Sequence, residues 1–423
     1  MVAGTIIGAS IFVQPSEVAG RVPSLGPIIL VWLFSGALTL IGALVCAELS
    51  TRFVEAGGVY VFLRESFGRP LAFLWGWAML GSMHSGIIAV IAVVFARYTA
   101  YFVPLGEVGI KAVAIGCILA LSALNYVGVR QGATLQARFT AGKLLAIALI
   151  VLFGFILGAG SAKHFVPAVS LAREITISDF LTAMVAGLFA FGGWHMVTYN
   201  AEETVDPRRT IPRALVLGTL IVTASYIGMN IVYMYVLPLD TVASSTRIAA
   251  DGADALLGFG GGAAMSGIVI FSTFGALAGI ILAGPRVYYA MAKDGLLFGW
   301  MGAVHPRYRT PHRAIVVQAA LASLLVGTGT FRMMFTRVIY TEWIFFGLMA
   351  LGMLLLRRRD PSPAFRLFAG PAWLAGLFIV SSFAIVGNQL ITNTRESLIG
   401  LSFVVAGLPV YHLWVRSRPN KDR

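Results

Sequence analysis

The sequence predicts an all-α polytopic membrane protein, and its composition gives the first reason. Hydrophobic residues make up 58% of the 423 residues, charged residues make up only 12%, and the mean hydropathy is +0.86. A soluble domain carries a charged fraction of about 25%. Apolar runs of about 20 residues, the length of a helix that crosses a bilayer, recur along the whole chain. The polar connectors between these runs are too short to form a soluble domain of typical size.

The apolar runs predict eleven membrane-spanning helices and a twelfth that is broken. The eleven are centred near residues 40, 85, 117, 149, 190, 225, 278, 321, 346, 380 and 406. The broken span lies at the N-terminus, where only seven residues precede Gly8. A half-helix that reaches the membrane surface needs about ten residues at 1.5 Å each. We therefore expect a truncated first span, with Met1 either a misassigned start or the beginning of a fragment.

The net charge of +13 is explained by membrane topology. If the N-terminus is placed in the cytoplasm, 21 of the 31 Lys and Arg residues fall on the cytoplasmic side and nine fall outside. Basic residues accumulate on the cytoplasmic side of membrane proteins. This bias predicts an inner or plasma membrane protein with both termini in the cytoplasm and an even number of spans. The charge does not require nucleic acid as a partner, and we expect none.

Two apolar spans contain glycines at the depth of the membrane. The first reads GTIIGASIF over residues 4–12, and the second reads FAFGGW over residues 189–194. Glycine weakens a helix, and backbone groups that are freed inside a bilayer must find other partners. Transporters built from two repeats use broken helices at matching positions to hold a substrate. The pair predicts a small-molecule carrier, although close helix packing is the alternative for the glycines of either span alone.

The positions of the two breaks predict an inverted repeat. Residues 1–160 contain five spans of which the first is broken, and residues 179–359 contain five more, again with the first broken. Because five is an odd number, the second repeat must enter the membrane with the opposite polarity. Two further helices within residues 371–415 lie outside the repeat. We expect all of these parts to form one transmembrane transporter domain.

Motifs for other kinds of chemistry are missing from the sequence. The six histidines and two cysteines lack metal-ligand spacing, so we expect no metal site. Cys46 and Cys117 are expected to behave as small buried side chains. The chain has no phosphate-binding Gly-Lys-Ser/Thr motif, so we expect no ATP, and no nucleophile–base arrangement indicates an enzyme. We therefore expect no cofactor, and the sequence leaves the oligomeric state open.

Several motifs in register resemble the amino acid–polyamine–organocation superfamily. They are similar in particular to its L-amino-acid transporter branch, of the bacterial serine/threonine or alanine/serine/cysteine exchanger type. In chain order the motifs are GTIIGASIF at 4–12, AELS at 47–50 with EAGGVY at 55–60, FTAGKLLA at 139–146, FGGW at 191–194 with EETVDP at 202–207 and IPRA at 211–214, and WIFFGL at 343–348 with ESLIG at 396–400. The resemblance covers essentially the whole chain. It implies a leucine-transporter-like 5+5 inverted repeat followed by two helices.

The resemblance implies that the first break holds the carboxylate of an amino acid. The amides of Gly8, Ala9 and Ser10 would meet that carboxylate, and free backbone amides at a helix break suit an anion. Ser10 departs from the family pattern, which has glycine at this position. Its hydroxymethyl group would either occupy space beside the substrate or add a hydroxyl donor.

The second break is implied to hold the ammonium group. The carbonyls near Ile6, Phe189 and Gly192 would accept from it, with Ala190 part of the same break. The ring of Phe189 resembles the aromatic that closes over the substrate in this family, although packing is the alternative for an aromatic in a membrane helix.

Lys143 is the ionisable residue most deeply placed in an apolar span. An ionisable side chain at such a depth costs at least about 2.5 kcal/mol and is usually functional. Two interpretations remain from the residues alone, a snorkelling side chain and a functional one. The resemblance implies that Lys143 bridges the broken first helix to the eighth helix in place of a sodium ion, and therefore that transport is independent of sodium.

Other candidate residues lie near the second break and in the tenth span. Glu202 and Glu203, which precede Arg208 and Arg209, are predicted to form a cytoplasmic gate of ion pairs. Glu342 is either an interfacial charge or a proton-coupling carboxylate. Three large rings are further candidates for lining the same cavity: Trp194, Trp343 and Phe346. His195 adjoins the break, where a structural role is the alternative to contact with the cavity.

The sequence therefore predicts a secondary transporter that moves L-amino acids by alternating access, through sodium-independent exchange. The alternative within the same class is proton-coupled uptake of amino acids or polyamines, although few carboxylates are available for a polyamine. A membrane-embedded enzyme would need convergent catalytic residues, and a sensor would need a soluble domain. The amino acid substrate and the lipid bilayer are the expected partners.

Overall fold

The computed structural model describes residues 2–55, 57–128, 133–157, 160–165, 174–258, 260–360 and 370–416, and the side chains of 133–140, 143, 146, 200–203 and 415–416 lie outside this description. The regular structure of the described residues is helical throughout. Within them, nine helical stretches are long and apolar enough to cross a membrane, and two shorter apolar helices are present. The prediction of an all-α polytopic membrane protein is therefore confirmed.

The long helices occupy the predicted positions in order. They are α3 (Leu25–Arg52), α5 and α6 (Arg69–Ala78 and His84–Thr99), α7 (Glu107–Tyr126), α8 (Ala133–Ile156), α9 (Ile177–Ala190), α10 (Pro207–Val236), α13 (Gly261–Lys293), α14 (His312–Thr328), α15 (Phe331–Arg359), α16 (Ala372–Thr392) and α17 (Thr394–Arg416). A π-helical turn at Met79–Met83 joins α5 to α6.

Short helices occupy the N-terminus and the connectors. They are α1 (Val2–Ile6), α2 (Gln14–Ala19), α4 (Val59–Phe67), α11 (Leu239–Ser244) and α12 (Ile248–Leu257), and four 3₁₀ helices at Ser10–Phe12, Ala162–Phe165, Trp194–Glu203 and Gly299–Gly302. The short helices in the connectors and the π-helical turn were not predicted, since each is shorter than the apolar pattern can resolve.

Helix starts follow from local sequence. A capping box opens α9, because the Thr176 side chain accepts from the amide of Asp179 and the Asp179 carboxylate accepts from the amide of Thr176. Reciprocal bonds of this kind satisfy two amides that a helix start leaves free. Proline occupies the first turn of α10 at Pro207, where its fixed φ suits a helix and its missing N–H is not needed.

Two groups of ion pairs mark the two ends of the bundle. One end, called here the Arg357 end, brings together the last turns of α3 and α15, where Arg52 lies 3.2 Å from Asp360. The other, called the Glu17 end, brings the end of α2 to the start of α15, where Glu17 pairs with Arg332. The cavity described below lies between the two ends.

Small residues allow the helices to approach closely around this centre. A Cβ on Gly36 of α3 would lie 2.6 Å from the Thr223 side chain of α10. A Cβ on Gly42 would lie 3.0 Å from the rings of Trp194 and Phe378. Large apolar side chains such as Phe34, Leu145 and Phe271 are instead exposed on the outside of the bundle. This distribution suits a protein whose outer surface faces lipid.

Candidate functional site

The first break begins where α1 ends at Ile6. Residues 7–9 are not helical, and the 3₁₀ turn Ser10–Phe12 follows. The amide of Gly8 donates back to the Ile6 carbonyl at 2.7 Å. Within the described part of the chain, no main-chain carbonyl accepts from the amides of Ala9, Ser10 or Ile11. Three neighbouring donors are therefore available for another acceptor, and backbone donors of this kind suit an anionic group.

The second break begins where α9 ends at Ala190. The amide of Gly192 donates to the Phe189 carbonyl at 3.0 Å, and the chain continues from Trp194 as a 3₁₀ helix. Gly193 has a φ of +92°, and a Cβ there would lie 3.0 Å from the carbonyl oxygen of Thr5. Glycine is required at this position for its backbone conformation and for the close approach of the first break.

Tyr226 of α10 connects the two breaks. Its hydroxyl lies 3.2 Å from the Ile6 carbonyl oxygen and 3.0 Å from the Ala190 carbonyl oxygen. The ring is fully buried between Trp32, at a centroid distance of 5.5 Å, and Phe191, at 5.1 Å. Carbonyls at both breaks thus have a protein donor within reach in the middle of the membrane, where an unsatisfied backbone group would be costly.

A cavity lies between the breaks. Five of the predicted substrate-binding residues line it: Ile6, Gly8, Ser10, Phe189 and Gly192. Ala9 and Ala190 are buried beside them in the chain and are not among the lining residues. The remaining lining residues of the two breaks are Thr5, Gly193 and Met196. The structure therefore brings residues that are about 180 positions apart in sequence to one hollow.

Three other helices complete the wall, and the sequence analysis did not identify their apolar lining residues. They are Ile87 and Ile91 of α6, Ile280 of α13, and Val338 and Ile339 of α15. In the sequence, an apolar residue of an apolar span looks the same whether it lines a cavity or packs against another helix. Tyr226, which the sequence analysis also did not identify, could have been found, because a hydroxyl at the depth of a membrane needs a hydrogen-bond partner.

Glu342 of α15 also lines this cavity, and its side chain is only 3% exposed. The interpretation of Glu342 as an interfacial charge is therefore wrong. Its sequence position near the start of an apolar span suggested the membrane surface, whereas α15 begins at Phe331 and carries Glu342 eleven residues further into the bundle.

An aromatic layer separates this cavity from the Glu17 end. The rings of Phe189 and Phe335 lie 5.7 Å apart between centroids, and the ring of Phe331 lies 5.5 Å from that of Phe335. The guanidinium of Arg97 lies 4.3 Å from the Phe331 ring centroid. Beyond this layer is a second hollow, lined by Phe335 and by the Glu17–Arg332 ion pair.

A thicker layer of rings lies towards the Arg357 end. The ring of Phe346 lies 5.0 Å from both Trp194 and His195, and Trp75 lies 5.4 Å from Phe345. Trp343, 6.1 Å from Phe346, belongs to the same cluster. The expectation that Trp194, Trp343 and Phe346 line the cavity is wrong, because these large rings pack against one another instead.

Ion pairs join the helices at the Arg357 end. The Arg357 guanidinium donates to both carboxylate oxygens of Glu48, at 2.6 and 2.5 Å. Arg64 of α4 pairs with Glu55 at 2.6 Å and with Asp294 at 3.3 Å. A guanidinium that donates to both oxygens of one carboxylate forms a strong, bidentate ion pair. The bidentate Arg357–Glu48 pair ties α3 to α15.

Asp294 also connects α4 to the end of α13. The hydroxyl of Tyr60 donates to its carboxylate at 2.8 Å. Burial and the neighbouring Asp294 carboxylate raise the pKa of Tyr60 above its ordinary value. The tyrosine therefore stays protonated at neutral pH and remains a donor to this connection.

Three predicted gating residues have side chains outside the described residues: Lys143, Glu202 and Glu203. Of their predicted partners, Arg209 lies 3.9 Å from the Asp206 carboxylate, and both side chains are exposed. Both cysteines are buried and free. Among the described residues, no group of three or more His, Cys, Asp or Glu side chains could hold a metal ion.

Comparison with known proteins identifies the family. The family model described as amino acid permease matches residues 1–410. The chain is 33% identical to the serine/threonine exchanger of Bacillus subtilis (strain 168) over 417 residues, which cover 97% of this chain and 94% of that protein. It is 30% identical to the human b(0,+)-type amino acid transporter 1 over 423 residues, or 98% of this chain and 86% of the relative.

A third similar protein is the human cystine/glutamate transporter, 30% identical over 420 residues that cover 98% of this chain and 83% of that protein. The match to the family model extends over both breaks and over every helix that lines the cavity. The protein belongs to the amino acid permease family.

Proposed function

We propose that this protein is a secondary transporter that exchanges L-amino acids across a cell membrane, with the amino acid bound in the cavity between the two breaks. The observation that carries the proposal is the meeting of both breaks at one hollow. Free amides at one break suit a carboxylate, and carbonyls at a helix end suit an ammonium group. The relatives, which are named as exchangers and transporters of amino acids, support the same function.

The substrate carboxylate is assigned to the first break, at the amides of Ala9 and Ser10, because the third predicted amide, that of Gly8, already donates to the Ile6 carbonyl. The ammonium is assigned to the carbonyls near Ile6, Phe189 and Gly192. Two of these carbonyls already have partners, since Gly8 donates to Ile6, which the Tyr226 hydroxyl also reaches, and Gly192 donates to Phe189. A carbonyl oxygen has two lone pairs, so the Phe189 oxygen retains an acceptor position, whereas the Ile6 oxygen would have to exchange a partner on binding.

Alternating access follows from the two layers that enclose the cavity. The aromatic layer of Phe189 and Phe335 would separate and re-form at the Glu17 end, and the ion-paired layer would do so at the Arg357 end. The repeat boundaries of 1–160 and 179–359 belong to this proposal, and so do the two helices within 371–415. Its support is that α1 runs from the Arg357 end towards the centre, whereas α9 runs from the Glu17 end.

The Arg357 end is assigned to the cytoplasm, with both termini on that side. The basic residues Arg52, Arg64 and Arg357 lie there, and their excess on one side is the usual sign of a cytoplasmic face. Lys143 is assigned to bridge the broken first helix to the eighth helix in place of a sodium ion. Glu202 and Glu203 are assigned to a cytoplasmic gate. The protein would then be no enzyme and would need neither ATP nor nucleic acid.

The test is counterflow in liposomes that contain the purified protein. We expect uptake of a labelled L-amino acid from a panel of serine, threonine, alanine, leucine and lysine to require an unlabelled amino acid inside. Uptake should not depend on sodium. Uptake without internal substrate would overturn exchange, and accumulation driven by a pH gradient would favour the proton-coupled alternative.

Two variants test the assignment of residues. Ser10→Gly restores the family glycine, and we expect it to preserve exchange while changing the order of preferred substrates. Lys143→Ala should reduce exchange sharply with normal membrane expression. Normal uptake by Lys143→Ala would show that the lysine snorkels.

A further inference from the structure

Glu342 is an ionisable side chain in the middle of the bundle, and none of the described side chains supplies a counter-charge for it. It lines the central cavity at 3% exposure. Among the described residues, no hydrogen bond or ion pair reaches its carboxyl group. The two arginines of α15 nearest to Glu342 along the helix have other partners, since Arg337 pairs with Glu396 and Arg332 pairs with Glu17.

An unpaired carboxylate within a membrane costs at least about 2.5 kcal/mol, and such residues are usually functional. The packing of α15 does not require it, because the helix positions around it in the cavity wall hold Val338 and Ile339. A partner for the Glu342 carboxylate must therefore come from the contents of the cavity, either as a cation or as a proton. A substrate with a positively charged group would supply the cation.

The part of the wall formed by α6, α13 and α15 is apolar except for Glu342. Ile87 and Ile91 of α6, Ile280 of α13 and Val338 and Ile339 of α15 surround the cavity on the side of these three helices. The backbone groups of the two breaks account for the carboxylate and ammonium of an amino acid. The wall of α6, α13 and α15 is thus left for the side chain of the substrate.

We propose that Glu342 is a specificity-determining residue that selects amino acids whose side chain is an aliphatic stem ending in a cation, such as L-lysine or L-ornithine. This inference rests on the proposed function of the same cavity. The stem would pack against the isoleucines, and the terminal ammonium would pair with the carboxylate. A buried polar group that a substrate leaves unpaired discriminates strongly against that substrate.

Lysine and norleucine form a matched pair for the test, because they share an aliphatic stem and differ by the terminal amine. The experiment measures the kcat/KM of each for exchange in liposomes, at equal pH on both sides. For the wild-type protein we expect lysine to exceed norleucine by at least about tenfold. For Glu342→Gln we expect lysine to fall by at least about tenfold, while norleucine changes by less than about threefold.

Two further variants serve as controls. Glu342→Asp keeps the carboxylate and should retain the preference for lysine, which also covers the case in which Glu342→Gln fails to fold. Glu174→Gln removes an exposed carboxylate that does not line the cavity and should change neither substrate. Monodisperse elution in detergent checks that each variant is folded.

The remaining outcomes overturn the inference. Equal losses of kcat/KM for lysine and norleucine in Glu342→Gln would show that the Glu342 carboxylate acts on a part of the substrate that both amino acids share. An unchanged preference for lysine in Glu342→Gln, with a loss of accumulation when the same liposomes are given a pH gradient, would make Glu342 a proton carrier. If the wild-type protein exchanges neutral amino acids but not lysine, the inferred selection for a cationic side chain is overturned while the proposed function stands. No exchange of any amino acid by the wild-type protein would instead reject the proposed function itself.

Discussion

The two ends of the bundle close the cavity by different means. At the Arg357 end, the Arg357 side chain is 13% exposed and its partner Glu48 is 4% exposed. At the Glu17 end, Arg332 is 48% exposed and Glu17 is 19% exposed. The first pair is buried and has two hydrogen bonds to the carboxylate, whereas the second faces a hollow that lies outside the aromatic layer.

This difference indicates which end separates more easily. Removing one partner of a buried ion pair is strongly destabilising, whereas an exposed ion pair contributes little. The Glu17 end is also separated from the cavity mainly by three phenylalanines, whereas rings and ion pairs from several helices fill the Arg357 end. We therefore expect the resting protein to open more readily at the Glu17 end.

The largest expected effect is at Arg357. Arg357→Leu leaves the buried carboxylate of Glu48 without this guanidinium, so we expect the free energy of unfolding to fall by about 3–5 kcal/mol. Denaturant unfolding in detergent micelles measures the change. The double variant Glu48→Leu/Arg357→Leu should recover most of the loss, and a loss below about 1 kcal/mol for the single variant would remove the contrast between the ends.

The next effect concerns Gly193, where the second break approaches the first most closely in the contact with Thr5. Gly193→Ala places a Cβ at a φ of +92° and 3.0 Å from the Thr5 carbonyl oxygen, so we expect a loss of about 1–3 kcal/mol together with most exchange activity. Gly260→Ala is the matched control, because its φ is +102° but nothing lies within 4 Å of the added atom. Equal effects of the two variants would show that contact between the breaks is unimportant.

A smaller effect is expected at Tyr226, which connects the breaks independently of either end. Tyr226→Phe removes a hydroxyl that lies within hydrogen-bond distance of two carbonyls, so we expect a loss of about 0.5–1.5 kcal/mol. Tyr340→Phe removes a buried hydroxyl that has no partner among the described residues and should be close to neutral. Exchange assays and denaturant unfolding of both variants measure the difference. A Tyr226→Phe variant with unchanged stability would contradict the prediction.

The smallest effect is expected at Glu17. Glu17→Gln removes the charge but keeps the shape, and we expect stability to change by no more than about 1 kcal/mol. Labelling of a cysteine placed at Phe335 by an impermeant thiol reagent should become faster, since the Glu17 end would open more often. Unchanged labelling, or a destabilisation as large as that of Arg357→Leu, would reverse the comparison.

Most of the fold could be predicted from the sequence. The eleven apolar runs correspond to the long helices, because membrane insertion depends on hydrophobicity summed over about 20 neighbouring residues. The interruptions at residues 7–9 and 191–193 fall where glycines weaken the helix. Five of the seven predicted substrate-binding residues line the cavity, although their role in binding remains a prediction.

The order of the long helices and the two glycine breaks can be predicted from local sequence, since each of these depends on a short stretch of chain. Which side chains meet depends instead on how the helices pack. Glu48 and Arg357 are 309 positions apart, and Tyr226 and Ile6 are 220 apart. No local pattern records such a pairing, because it depends on the packing of several helices at once. For the same reason, Glu342 became a lining residue of the cavity only when α15 was placed against α6 and the two breaks.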